Sequence, residues 1–223
     1  MAVEATAILH QDMAGTITAL KSQRKNKERV NVYLDGEYAF SLQAIVAARL
    51  RRGQVLSDEE IEGLLEEDAF HKAYNRALNF LSYRPRSRAE VSRYLQRKGV
   101  PSHISQRVEE RLVDVGLLDD LAFARFWVEN REEFRPRSRY VLGWELRQKG
   151  LEAEVIAQAL QDINEGESAY HAAAERARRY THLDKQAFQR KLGGFLRRRG
   201  FSYEIIKEVL DRLWRETRET EEP

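Results

Sequence analysis

Arg84-Pro85-Arg86-Ser87-Arg88-Ala89-Glu90-Val91, running on to Leu95-Gln96-Arg97-Lys98-Gly99, returns fifty-one residues later as Arg135-Pro136-Arg137-Ser138-Arg139-Tyr140-Val141 with Leu146-Arg147-Gln148-Lys149-Gly150. Fifty residues further on a fainter copy reads Leu196-Arg197-Arg198-Arg199-Gly200. Self-similarity at this period marks tandem supersecondary units. Proline fixes its own φ and keeps the preceding residue out of the α region, so Arg84-Pro85 and Arg135-Pro136 close a preceding helix. Ser87 and Ser138 then stand where an N-cap belongs. Glu90 completes a capping box with Ser87, whereas Ser138 caps alone. Apolar residues follow one turn apart: Val91 and Leu95, Leu142 and Leu146, Leu192 and Leu196. Gly99, Gly150 and Gly200 end each helix where a left-handed residue is favoured.

A third helix follows each glycine. Its inward positions align at equal offsets: Ile104, Val108, Leu112; Val155, Ala159, Ile163; Ile205, Val209, Leu213. The spacing is helical in all three copies. The reading is a mainly α protein of three tandem three-helix repeats, over 69–115, 117–163 and 167–215. A unit of about fifty residues is near the lower limit for folding alone, so neighbours share cores in a curved helical stack. Asp119 caps the helix carrying Phe123, Phe126 and Trp127. In the third copy Tyr170 to Tyr180 forms the first helix, Asp184 caps the second and Ser202 the third. Gly193-Gly194 inside that second helix costs about 1 kcal/mol per glycine relative to alanine. Either close packing compensates or this repeat is the most deformable.

Ahead of the repeats the period changes to two. Strands are expected near 16–22, 29–34 and 37–42, with Asp35-Gly36 as the hairpin turn of a small N-terminal β-meander. The basic loop Gln23-Arg24-Lys25-Asn26-Lys27 is a solvated turn or an auxiliary anion-binding arm. Residues 16–68 thus hold the meander plus short helices, one from Gln43 to Leu50. Ser57-Asp58-Glu59-Glu60 is a further capping box opening a helix that runs to Ser82. Its seven early carboxylates, Asp58 to Asp68, complement the helix dipole. Residues 1–15 are expected as a flexible N-terminus and 216–223 as a frayed C-terminal tail.

The chain has 223 residues, with 38 Lys and Arg against 36 Asp and Glu, so only the distribution of charge is informative. It contains no cysteine, which excludes disulfides and thiolate chemistry and fits a reducing compartment. No signal-peptide pattern and no apolar run of about 20 residues occurs, so a soluble, cytoplasmic protein is expected. The five histidines lack ligand spacing, no glycine-rich phosphate loop lies between a strand and a helix, and no nucleophile elbow appears. Neither a metal, nor a cofactor, nor catalysis is expected.

What rises above background is the sign pattern of the second helices. Residues 84–98 carry Arg84, Arg86, Arg88, Arg93, Arg97 and Lys98 against Glu90 alone. Residues 135–149 carry Arg135, Arg137, Arg139, Arg147 and Lys149 against Glu145. Residues 185–199 carry Lys185, Arg190, Lys191, Arg197, Arg198 and Arg199 and no acid. Some of these cations sit at helix N-terminal sides, where the dipole opposes them. A basic track for nucleic acid or an acidic protein surface is the candidate binding site.

The run from Leu81 to Val91, with Leu95 and Lys98-Gly99, Gly116-Leu117-Leu118-Asp119-Asp120, Phe123-Ala124 and Glu145 to Leu151, resembles the RecX regulatory proteins over roughly residues 69–215. The third repeat lacks the Arg-Pro-Arg-Ser element, and residues 16–42 lie outside the core pattern. The resemblance implies a bacterial, non-enzymatic modulator of the RecA recombinase. Such a protein binds in the groove of the RecA–DNA filament and reduces strand-exchange, ATPase and coprotease activity. It implies RecA as partner; single- or double-stranded DNA is a further candidate, and a monomer without membrane association is expected. The alternatives are a stand-alone helical DNA-binding protein acting as a transcriptional regulator, and a purely structural helical adaptor.

Overall fold

The computed structural model describes residues 13–219, with no side-chain description for Glu219. Among these residues the chain forms four strands and ten helices. Strands β1 (Gly15–Ser22), β2 (Arg29–Leu34) and β3 (Glu37–Gln43) make the expected antiparallel meander. Asp35 and Gly36 both take positive φ, as the tight turn requires. A two-residue strand β4 (Val55–Leu56), unforeseen from so short a segment, pairs with the other edge of β1 and gives the order β3-β2-β1-β4. The first helix, α1 (Ala44–Ala47), is shorter than the expected 43–50 span.

Helix α2 (Asp58–Leu81) starts at the Ser57–Glu60 capping box and stops at Ser82. One face of the sheet (Ile17, Val32, Leu34, Phe40, Leu42) packs on Val46, Ile61 and Leu64 in a common core. Asp68 corrects the reading of the acidic cluster. It is 2% exposed, ten residues into α2 and beyond the reach of the helix terminus. Its carboxylate accepts from Arg29 at 2.8 Å, from the Gln43 backbone N–H at 2.6 Å and from Lys72 at 2.6 Å, tying the sheet to the helix. Residues 13–14 are also held, because both backbone N–H groups donate to Asp58. The rest of the expected flexible N-terminus lies outside the described residues.

The repeats follow as α3 (Arg88–Arg97) and α4 (Ser102–Asp114) after the later part of α2, then α5 (Asp120–Phe134), α6 (Arg139–Gln148) and α7 (Ala153–Leu160), then α8 (Glu165–Arg178), α9 (Lys185–Arg198) and α10 (Tyr203–Glu219). Packing divides the chain into two compact units. One runs to Tyr83 and includes Ser92–Leu112; the other is Arg84–Val91 with everything from Val113 onward. In the first unit Phe80 of α2 stacks on Tyr94 of α3 with centroids 4.2 Å apart, and Leu95, Ile104, Val108 and Leu112 are all 0–1% exposed. In the second, Leu142 and Leu146 share a core with Phe123, Ala124 and Ile156. Leu192 and Leu196 share another with Ala169, Phe188 and Leu213.

Several expectations shift in register. Helix α8 begins at Glu165 rather than Tyr170, because Asn164 accepts from the N–H groups of Gly166 and Glu167. In α7 the fully buried positions are Ile156 and Leu160, while Val155, Ala159 and Ile163 lie half-buried around them. Gly143 on α6 faces these two residues: a Cβ there would stand 3.5 Å from Leu160 and 3.7 Å from Ile156, ordinary van der Waals distances. Gly193 plays the same part against Leu210 at 3.4 Å and Ile206 at 3.7 Å, and Ile205 is correspondingly only half-buried. The expected frayed tail is helical to Glu219, with Thr217 9% exposed and its hydroxyl bonded to the Leu213 carbonyl; residues 220–223 lie outside the described residues.

Candidate anion-binding surface

The Arg-Pro-Arg-Ser segments are joints in the second unit. Ser87 is 0% exposed and donates its hydroxyl to the Lys149 carbonyl at 2.7 Å. Ser138 is 1% exposed, and its backbone N–H donates to the Arg199 carbonyl at 3.1 Å. In each case the cap at the start of one second helix meets the last carbonyls of the next one. The following N–H is received by an acid heading the first helix of the next repeat: Arg88 by Asp120 at 2.9 Å, Arg139 by Glu165 at 2.8 Å. Gly150 and Gly200 complete the joints. Their φ angles of 83° and 90° favour glycine, and an added Cβ would collide with Ala89 in one case and Val141 in the other. The third repeat lacks Arg-Pro-Arg-Ser, and among the described residues no further three-helix unit follows for such a segment to join.

These joints employ part of the basic track. Arg84 grips Glu90 with both nitrogens, at 2.7 and 3.1 Å, and Lys149 reaches the same carboxylate at 3.1 Å. Burial raises the Glu90 pKa, but the hydrogen bonds from Arg84 and Lys149 and their charges outweigh it and bring it to about 2. In the second repeat Glu145 on α6 is also engaged, accepting from Trp127 and Arg131 at 2.8 Å each with Arg137 3.4 Å away. Arg139 donates to the carbonyls of Leu160 and Gln161 at 2.6 and 3.1 Å, at the C-terminal end of α7 where a cation is favoured. Arg199 donates to the Pro136 carbonyl at 2.8 Å. Burial lowers its pKa first, then the charges of Arg137, Arg176 and Arg135, which gather around it. Arg86 is half-buried, with its pKa lowered by burial and then by Arg84. Arg137 and Arg139, at the N-terminal side of α6, therefore have intramolecular partners.

The other candidates, Arg88, Arg93, Arg97, Lys98, Arg135, Arg147, Arg197 and Arg198, are exposed. Several lie on one recurring surface, the side of each second helix that faces away from the core. On α3 it carries Arg93, Gln96 and Arg97, opposite Val91 and Leu95. On α9 it carries Arg190, Arg197 and Arg198, opposite Leu192 and Leu196. On α6 it carries Arg147 with Tyr140 and Trp144, which are 77% and 54% exposed. None of these three faces holds an acid, since Glu90 is held by Arg84 and Lys149 and Glu145 by Trp127 and Arg131. The sequence reading passed over Tyr140 and Trp144. Their signal was present: they lie four residues apart, out of phase with Leu142 and Leu146.

Fold and surface together define a tandem three-helix-repeat protein with arginine-bearing, acid-free outer helix faces. Four family profiles match it in chain order: the RecX regulatory protein N-terminal domain over residues 15–57, and the first, second and third RecX three-helix domains over 73–112, 119–160 and 164–210. The regulatory protein RecX of Bacillus subtilis is 34% identical over 203 residues, 88% of this chain and 76% of that one. The Listeria welshimeri protein is 33% identical over 196 residues, 86% of this chain and 73% of its own. A crystal structure of regulatory protein RecX superposes with a TM-score of 0.71 at 28% identity, covering 89% of this chain and all of the other. RecX from Lactobacillus salivarius superposes at 0.59 with 29% identity, over 66% of this chain and 97% of that one. The chain belongs to the RecX family of regulatory proteins. No helix among its described residues is long and apolar enough to cross a membrane.

Proposed function

We propose that the chain binds the RecA recombinase filament on DNA and restrains it, lowering ATPase, strand-exchange and coprotease activity without catalysis of its own. One observation carries this reading beyond family membership: the acid-free arginine faces of α3, α6 and α9, which the joints leave exposed. Arginine suits forked bonding to phosphates or carboxylates better than lysine does. A cytoplasmic monomer built of repeats 69–115, 117–163 and 167–215 is the working form in this reading.

Co-sedimentation with RecA filaments, beside naked DNA, tests it. The expected result is retention on the filament with a fall in its ATPase rate. Replacing Arg97, Arg147, Arg197 and Arg198 by alanine should weaken retention without lowering thermal stability. Equal or tighter binding to naked duplex would instead make the chain a stand-alone DNA-binding protein.

A further inference from the structure

We propose that Tyr140 and Trp144, with Arg147 at one end and Arg197-Arg198 at the other, form a stacking site for the bases of a single nucleic acid strand. The pair is not demanded by the repeat. The equivalent positions are Ala89 and Arg93 in the first copy and Arg190 and Gly194 in the third, and those helices form without aromatic rings there. The two rings lie one turn apart on α6 and stand 77% and 54% exposed, so a large apolar area is held in water.

Charge selects the occupant. Arg147 is three residues beyond Trp144 on the same face. At the other end, Val141 beside Tyr140 seats against Gly200, which places the last turn of α9, with exposed Arg197 and Arg198, next to the start of the stripe. Arginines at both ends and ring faces between them fit a chain of phosphates whose bases are free to stack. In a duplex the bases are already stacked and cannot reach the rings. The site is independent of the filament reading, since it requires only the strand.

Binding of the full chain to a fluorescein-labelled oligo-dT of about 30 nucleotides, read by anisotropy beside a duplex of equal length, tests the site. The native chain should prefer oligo-dT. The double variant Tyr140→Ala/Trp144→Ala should lose at least about tenfold in affinity for oligo-dT with its salt dependence unchanged. Tyr140→Phe/Trp144→Phe keeps the rings and should retain the affinity, which separates stacking from any change in folding. Replacing Arg147, Arg197 and Arg198 by alanine should make the salt dependence shallower. A native chain that ignores oligo-dT overturns the site while leaving the proposed filament binding intact, and so does an alanine variant with undiminished affinity. Loss of filament binding with oligo-dT binding preserved would make the stripe a protein-docking face and likewise overturn it.

Discussion

Lys149 reaches back 59 positions to place its ammonium 3.1 Å from the carboxylate of Glu90, which Arg84 holds from the other side at 2.7 Å. The Glu90 side chain is only 12% exposed, so its two cations compensate a desolvation that would otherwise favour the neutral acid. Its folded pKa of about 2 lies below the ordinary 4.5, so the carboxylate contributes stability above the ordinary value and loses it as the pH falls towards 2. The contribution is on the order of 3 kcal/mol at neutral pH. Glu90→Gln should therefore be less stable than the native chain at pH 7. Urea denaturation across the acid range should find the difference shrinking below about pH 4.5. A difference that does not change with pH would show that the trio is not an electrostatic latch.

Gly150 and Gly99 separate the joint from the helix end. Both are left-handed, with φ of 83° and 73°, so alanine strains the backbone similarly at either site. Only at Gly150 does the added methyl meet another segment, at Ala89; around Gly99 there is open space. Gly99→Ala should cost about 1 kcal/mol, as expected for the left-handed conformation alone. Gly150→Ala should cost about 1–3 kcal/mol more from overpacking. Equal melting temperatures for the two variants would deny the joint.

The repeat, its caps and its closing glycines were legible because each is a local rule written in neighbouring residues. Ser87, Ser138, Asp119 and Asp184 cap where their spacing says they should. What the sequence could not disclose were pairings across long separations. That Ser87 meets Lys149, or that Arg139 meets Leu160, is decided by how separate helices pack within the second unit. The same blindness made Asp68 look like one of seven dipole-complementing acids. It also hid that Arg137 approaches Glu145 and that Arg139 donates to two carbonyls at the end of α7. The shift from Val155 to Ile156 as the inward residue depends on how α7 lies against α5 and α6, which no one-helix pattern contains.

Arg139 provides a direct check on that revision. A merely solvated arginine at the first turn of a helix would leave stability unchanged or slightly improved when removed. Here Arg139→Ala strips two carbonyls at the end of α7 of their donor. The expected cost is about 1.5–3 kcal/mol, the range for hydrogen bonds to a charged group. Arg147→Ala, on the outward face, should stay within about 0.5 kcal/mol of the native chain. Thermal melts of the two variants side by side decide the matter, and matching curves would mean that Arg139, itself exposed, contributes no more to the fold than the outward arginines do.

Leu146 is 0% exposed and shares a core with Phe123, Leu142 and Ile156. Truncation to alanine removes that packing and leaves a cavity that rigid neighbouring helices cannot close. The expected loss is about 2–5 kcal/mol. A chemical-denaturation midpoint unchanged in Leu146→Ala would mean that the helix faces the other way.

Asp68 makes the sharpest distinction between the two readings of the acidic helix. If it only complemented the dipole of α2, its removal would cost at most about 1 kcal/mol. Its buried carboxylate instead neutralises Arg29, whose side chain is 14% exposed, and receives the Gln43 N–H at the end of β3. Burial pushes the Asp68 pKa up, but bonds from Lys72, Gln43 and Arg29 more than reverse this and hold it below the ordinary carboxylate value. Asp68→Ala strands the guanidinium and should cost about 3–5 kcal/mol. Replacing both partners, Asp68→Leu with Arg29→Met, removes the charge to be solvated and should recover most of that loss. The double-mutant cycle then reports a coupling well above that of an exposed pair, which is about 1 kcal/mol or less. A coupling no larger than the exposed value would mean that the sheet is held on α2 by its apolar face alone, with Ile17, Val32 and Leu42 sufficient for the attachment.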